Sequence, residues 1–163
     1  MKMFSILVVN LNAGDKLKQT VQSILEQEYT DYEILVKDGG SKDGSVEALE
    51  MFLASQAETV QERVRIIRQP DKSIYEGMNQ ATAYAQGQYY YFLNCGDYFH
   101  QKEALTQVAE AIERNIYQQG KSLIYYGNIY DVLRGQIVQS NPRIDDFACC
   151  IATVGPETWQ HNE

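Results

Sequence analysis

No apolar run in this 163-residue sequence approaches the roughly 18 residues that a bilayer-spanning helix needs. The opening residues Met1–Asn10 are too short for a signal peptide and carry no small-residue cleavage site, so the chain reads as cytoplasmic. Cysteine is scarce. Cys95 stands alone and Cys149 and Cys150 are adjacent, which gives neither a disulfide framework nor the paired spacing of a zinc site. Positive charge is short as well: 14 Lys+Arg face 22 Asp+Glu, a formal net charge of -8. Such a chain repels a phosphate backbone, which excludes a general nucleic-acid partner. A small anionic ligand stays open wherever a helix N-terminus, a few lysines or a divalent cation favours it locally.

Apolar residues are plentiful at 44%. At this length they support one globular domain over residues 1–163, burying roughly 70% of the surface of the unfolded chain. Strands and helices alternate, with no internal repeat or linker. The expected strands are Phe4–Val9, Tyr32–Lys37, Val64–Arg68 and Tyr89–Leu93. A helix beginning near Asp15 carries Leu17, Val21, Ile24 and Leu25 on one stripe. Another is capped by Asp43 or Ser45 and runs to about Gln56, and a third spans Ile74 to Gln86 with Gly87 as its stop. Beyond Asp97, Leu105, Val108, Ala109, Ile112 and Ile116 mark a helix ending near Gly120. Short strands at Leu123–Tyr126, Tyr130–Leu133 and Ile137-Val138 then break the alternation.

This order predicts an α/β fold, a mostly parallel sheet with helices on both faces. Ligands of such sheets bind at the carboxyl ends of strands where the strand order reverses. Asn10, Asn12, Asp38 and Asn94-Cys95-Gly96-Asp97 all fall at strand ends. The two glycines after Asp38 let the chain turn and a flat ligand approach, so its carboxylate can accept hydrogen bonds from a nucleobase or ribose; capping the turn is the alternative. Asp97 is an oxygen donor suited to Mg²⁺ or Mn²⁺ bridging to a diphosphate, or a turn residue before the next helix. Asn10 and Asn12 stand where a phospho-receiver domain needs an acidic pair. A dinucleotide oxidoreductase would want Gly-x-Gly-x-x-Gly after the first strand and a nucleotide triphosphatase a loop ending in Gly-Lys-Ser/Thr, and neither is present.

The segments Phe4–Asn12, Gln22–Gln27, Glu33–Ser45 and Gly87–Asp97 occur in this order. Together they resemble the family 2 glycosyltransferases of GT-A fold, over about the first two-thirds of the chain and more faintly through Tyr126-Gly127-Asn128. The resemblance implies an inverting hexosyltransferase-like enzyme that uses a nucleotide-diphospho-sugar, UDP favoured, and a divalent metal, Mn²⁺ or Mg²⁺. It implies a saccharide or lipid-linked saccharide acceptor and a place in bacterial surface polysaccharide biosynthesis. Carried over by position, Asn10 and Asn12 match the loop that cradles the nucleotide, Asp38 the carboxylate that recognises the base, and Asp97 the metal-binding Asp. Asn94 belongs to the same motif on the donor side, and Asp71, Tyr75 and Asn79 match a segment lining the donor pocket. Asn94 and Gly96 stand where acidic residues are common, so Asn-x-Gly-Asp marks a sub-branch with Asp97 as the protein carboxylate on the metal. Gly39 replaces a frequent second Asp, and Asn10 stands where Thr is frequent.

On this resemblance residues 1–97 form the nucleotide-sugar-binding part and 98–163 a shortened, partial acceptor side. The base that deprotonates the acceptor would come from the later part, where Asp145, Asp146 and Glu157 are the candidates and no motif selects among them. The expected location is the cytoplasm or the inner face of the membrane. The rival reading is a non-catalytic or truncated nucleotide-sugar-binding module.

Overall fold

A computed structural model of the chain describes residues 2–114, 124–126, 129–131, 134–138 and 150–152. Strand β1 (Phe4–Asn10) pairs in parallel with β2 (Tyr32–Asp38), from Phe4 opposite Tyr32 to Asn10 opposite Asp38. Strand β3 (Val64–Arg68) adds to the far side of β2 and β4 (Tyr89–Phe92) to the far side of β1, giving the parallel order β3-β2-β1-β4. The two central strands are covered on both faces, which is why they are the most continuously apolar segments.

The two-residue period of the strands sorts their side chains between two layers. Phe4, Ile6, Val8, Tyr32, Ile34 and Val36 pack beneath α1 (Asp15–Leu25), α2 (Ser45–Ala54) and α5 (Ala104–Arg114), against Leu17, Val21, Ile24, Leu49 and Leu105. Leu7, Leu35 and Tyr90 face the other way, onto Ala81 of α4 (Ile74–Thr82). A short α3 (Glu58–Gln61), without a sequence signal, leads into β3. Of the later strands, β5 (Ile124–Tyr126) pairs antiparallel with β8 (Cys150–Ala152), and β6 (Ile129–Asp131) with β7 (Gln136–Val138).

Three expected boundaries shift, each for a local reason. Helix α2 ends at Ala54 and is entered from Gly44, whose φ of 80 is left-handed. Asp43 instead accepts the N–H groups of Ser45 and Gly14, tying the loop after β2 to the loop after β1. Helix α4 stops at Thr82, because the next bonds, from Tyr84 N–H to the Ala81 carbonyl and from Ala85 N–H to that of Thr82, tighten to three-residue spacing. Gly87 is therefore not its stop. A Cβ there would sit 2.5 Å from the Ser5 backbone nitrogen, so glycine lets the chain cross close against β1, where its N–H donates to Ser5 Oγ at 2.8 Å. The expected helix residue Ile116 and its stop at Gly120 lie outside the described residues.

Candidate functional site

From β1 the chain moves outward through β2 to β3, then returns past β1 to lay down β4 on the opposite side, so the strand order reverses between β1 and β4. A cleft of about 340 Å³ opens at the carboxyl ends of these two strands. Its walls are Val9 and Asn10 at the end of β1, Leu11 and Ala13 just after it, Asn94 and Cys95 after β4, and Asp71 to Ile74 at the start of α4.

At the last rung of the β1–β2 ladder, the fully buried Asn10 donates from Nδ2 to Asp38 Oδ1 at 2.7 Å and to Ser41 Oγ at 3.0 Å. Asp38 also accepts the Ser41 hydroxyl at 2.5 Å and the N–H groups of Gly40 and Ser41, both at 3.0 Å. Burial alone would raise its pKa, but the hydrogen bonds from Ser41, Asn10 and Gly40 outweigh it and hold the carboxyl below the ordinary range. Through these bonds the carboxylate braces the turn that the sequence also allowed it to cap. Asn12, at a left-handed φ of 51, accepts the Lys42 N–H at 2.8 Å and likewise latches one loop to the other.

A depressed folded pKa gives stability that is present above the unfolded value, about 4, and lost as pH falls through the folded one. Asp38→Asn is accordingly expected to cost about 1–3 kcal/mol near neutrality, with the gap to wild type narrowing below about pH 4. Urea unfolding across that range checks it, and a gap independent of pH would contradict the assignment.

On the α4 side, the buried Asp71 carboxylate pairs with the fully buried Lys37 ammonium from β2. Two glycines leave the room: a Cβ at Gly39 would lie 2.8 Å from Asp71 Oδ2, and one at Gly77 would lie 3.2 Å from it and 2.8 Å from Val9 Cγ1. Gly39 is thus where a longer residue would collide with the cleft wall. Ser73 caps α4 by accepting the Glu76 N–H, while Glu76 Oε2 accepts the Lys72 N–H at 2.7 Å. The positive end of the helix dipole consequently lies beside the cleft.

Tyr75 and Asn79, expected in the donor pocket, are exposed and do not line the cleft. They share one side of α4 by their four-residue spacing, whereas Gly77 and Ala81 form the buried side. Asp71, Asn10 and Asn94 do come together there, whereas Asn12, Asp38 and Asp97 are not among its lining residues. Asp145, Asp146 and Glu157 lie outside the described residues. Lys37 escaped sequence reasoning, although a lysine inside a strand otherwise buried on both faces was a readable signal.

After β4, Asn94 Oδ1 is buried at the cleft with no hydrogen-bond partner among the described residues. The Cys95 thiol donates to Asn10 Oδ1 at 3.5 Å, and burial with the nearby Asp38 and Asp97 charges pushes it up to about 12, so it is a neutral wall group. Asp97 is exposed, and partial desolvation raises its carboxyl above the ordinary value. Among the described residues no three His, Cys, Asp or Glu side chains gather as a metal cage. The unpartnered Asn94 amide oxygen and the exposed Asp97 carboxylate, three residues apart in sequence, are oxygen donors of the type that Mg²⁺ or Mn²⁺ accept, hard cations that take much of their shell from phosphate and water.

Residues 5–145 match the family described as Glycosyl transferase family 2. The chain belongs to this family. Over 110 residues this family 2 chain is 33% identical to a PGL/p-HBAD biosynthesis glycosyltransferase of Mycobacterium bovis (strain BCG / Pasteur 1173P2), a match covering 68% of the chain and 41% of that protein. Over 112 residues it is 28% identical to TuaG of Bacillus subtilis (strain 168), a glycosyltransferase named for teichuronic acid biosynthesis, covering 68% of the chain and 42% of TuaG. It therefore spans about two-fifths of these relatives, 41% and 42%. Among solved structures, S. aureus TarS 1-349 superposes with a TM-score of 0.68 at 20% identity, covering 88% of this chain and 39% of that one. The mannosyltransferase PcManGT of Pyrobaculum calidifontis, solved with GDP-Man and Mn²⁺, gives 0.65 at 15% identity, covering 76% and 34%. The α/β fold is thus of the GT-A glycosyltransferase type. No helix among the described residues is long and apolar enough to cross a membrane.

Proposed function

We propose that this family 2 domain binds a nucleotide-diphospho-sugar, with UDP as the favoured nucleotide, in the cleft between the ends of β1 and β4. The sugar, a hexose, passes with inversion to a hydroxyl of a saccharide or lipid-linked saccharide acceptor in surface polysaccharide assembly, at the cytoplasmic face of the membrane. The observation that carries the reading is the buried, unpartnered Asn94 Oδ1 at the strand-order reversal, since a buried acceptor without a donor costs free energy that a ligand hydroxyl or bound cation would recover. Support comes from TarS, which has been solved with UDP-GlcNAc and with UDP, and from PcManGT with GDP-Man.

In this reading Asn10, Asn12 and Asp38 hold the loops that frame the nucleotide, and Asp71 forms the opposite wall. The exposed Tyr75 and Asn79 are left for outer parts of the donor. Asp97 and Asn94 would hold Mn²⁺ or Mg²⁺, which when bound neutralises the charge of the departing diphosphate. The N-terminus of α4 favours the same anion. Residues 1–97 serve the donor and 98–163 contribute part of the acceptor side, from which Asp145, Asp146 or Glu157 would accept the proton of the attacking hydroxyl.

Calorimetric titration with UDP, GDP and dTDP, each with and without Mn²⁺, tests the donor half. UDP should bind tightest and gain from Mn²⁺; equally weak, metal-indifferent binding of all three would refute the reading.

A further inference from the structure

Helix α1 carries a polar line of side chains toward the segment after β4. Thr20, 1% exposed, accepts the Gly96 N–H on Oγ1 at 3.0 Å and donates the same hydroxyl to the Asp97 carbonyl at 2.9 Å. Ser23 Oγ accepts the Phe99 N–H at 3.4 Å. Gln27, just beyond the helix, donates to the Gln101 carbonyl at 2.8 Å and accepts the Leu105 N–H at 3.1 Å. One turn before Thr20, Lys16 Cδ lies 3.4 Å from the place of a Cβ on Gly96, whose φ of 102 already disfavours other residues.

Threonine is a weak helix former, and a buried hydroxyl costs stability unless it is hydrogen-bonded. Valine would fill the same volume without that demand. Thr20 uses both its donor and its acceptor on the two residues that end Asn-x-Gly-Asp. We propose that Thr20 is a positioning residue of the donor site: by gripping the backbone on either side of the Gly96–Asp97 peptide, it fixes the point from which the Asp97 carboxylate is presented to a divalent cation. This rests on the reading that Asp97 holds that cation. Ser23 and Gln27 fasten the rest of the segment and serve the fold.

The test measures UDP affinity calorimetrically at zero and saturating Mn²⁺ for wild type, Thr20→Val, Thr20→Ser, Gln27→Met and Asp97→Asn, with folding verified by circular dichroism. Thr20→Val should cut the Mn²⁺-dependent gain in affinity by roughly tenfold while metal-free affinity stays within about twofold, and Thr20→Ser should restore most of the gain. Gln27→Met should lower stability and keep the gain. If Thr20→Val does not fold, Thr20→Ala is read by the same criteria. A full gain in the hydroxyl-free variant, or failure of Thr20→Ser to restore it, overturns the role of Thr20 while Asp97→Asn still loses the gain. A gain that survives in Asp97→Asn, or that wild type never shows, overturns the reading of Asp97 and this proposal with it.

Discussion

Lys37→Met is expected to lower folding stability by about 3–5 kcal/mol, the cost of leaving one member of a buried ion pair without its counter-charge. The Lys37 side chain is fully buried and that of Asp71 is 6% exposed, so water cannot replace the missing ammonium without opening the wall between β2 and α4. Gly39 and Gly77 fit closely around the carboxylate, which leaves it little room to move toward solvent. Removing both charges should be gentler. Lys37→Met with Asp71→Leu is expected to recover much of the loss, because an apolar pair of similar volume carries no desolvation penalty. Urea unfolding of the single and double variants checks both statements. A loss under about 1 kcal/mol for Lys37→Met would mean that the pair is solvated and does not brace the cleft.

How far the sequence could be read follows from what each residue type reveals on its own. The largely apolar segments Phe4–Val9 and Tyr32–Lys37 were read as strands of a mostly parallel sheet, and both are seen, each longer by the polar residue that closes it. Asn10 and Asn94 were legible as strand-end residues, but alternation does not say which strands are neighbours, so that their ends meet at one cleft comes from the order β3-β2-β1-β4. What could not be read was who satisfies whom. Nothing in Asp38-Gly39-Gly40-Ser41 says that the carboxylate is also held by Asn10, since that depends on a strand 28 residues away in sequence. The same holds for Thr20, whose partners Gly96 and Asp97 come 76 and 77 residues later. Tyr75 and Asn79 were placed by resemblance; the start of α4 at Ile74 was readable, but not that the face of Gly77 and Ala81 is the one that packs inward and turns Tyr75 and Asn79 outward.

If Asp97 supplies the protein carboxylate of a metal-assisted diphosphate site, Asp97→Ala isolates its contribution. Its side chain is exposed and makes no hydrogen bond or ion pair with a described residue, while the segment around it is held by backbone groups that alanine retains. The fold should therefore survive. A cation bridging carboxylate and diphosphate offsets an anion's repulsion by a chain of formal net charge -8, so losing it should weaken UDP binding by roughly tenfold or more, about 1.4 kcal/mol upward. Asp38→Asn, by contrast, should keep the metal response, because that carboxylate is spent on the protein's own loops. The decisive measurement is calorimetric titration of UDP into wild type and Asp97→Ala at zero and saturating Mn²⁺: a Mn²⁺-dependent gain is expected in wild type and none in the variant, and an undiminished gain in Asp97→Ala would refute the metal-holding role of Asp97.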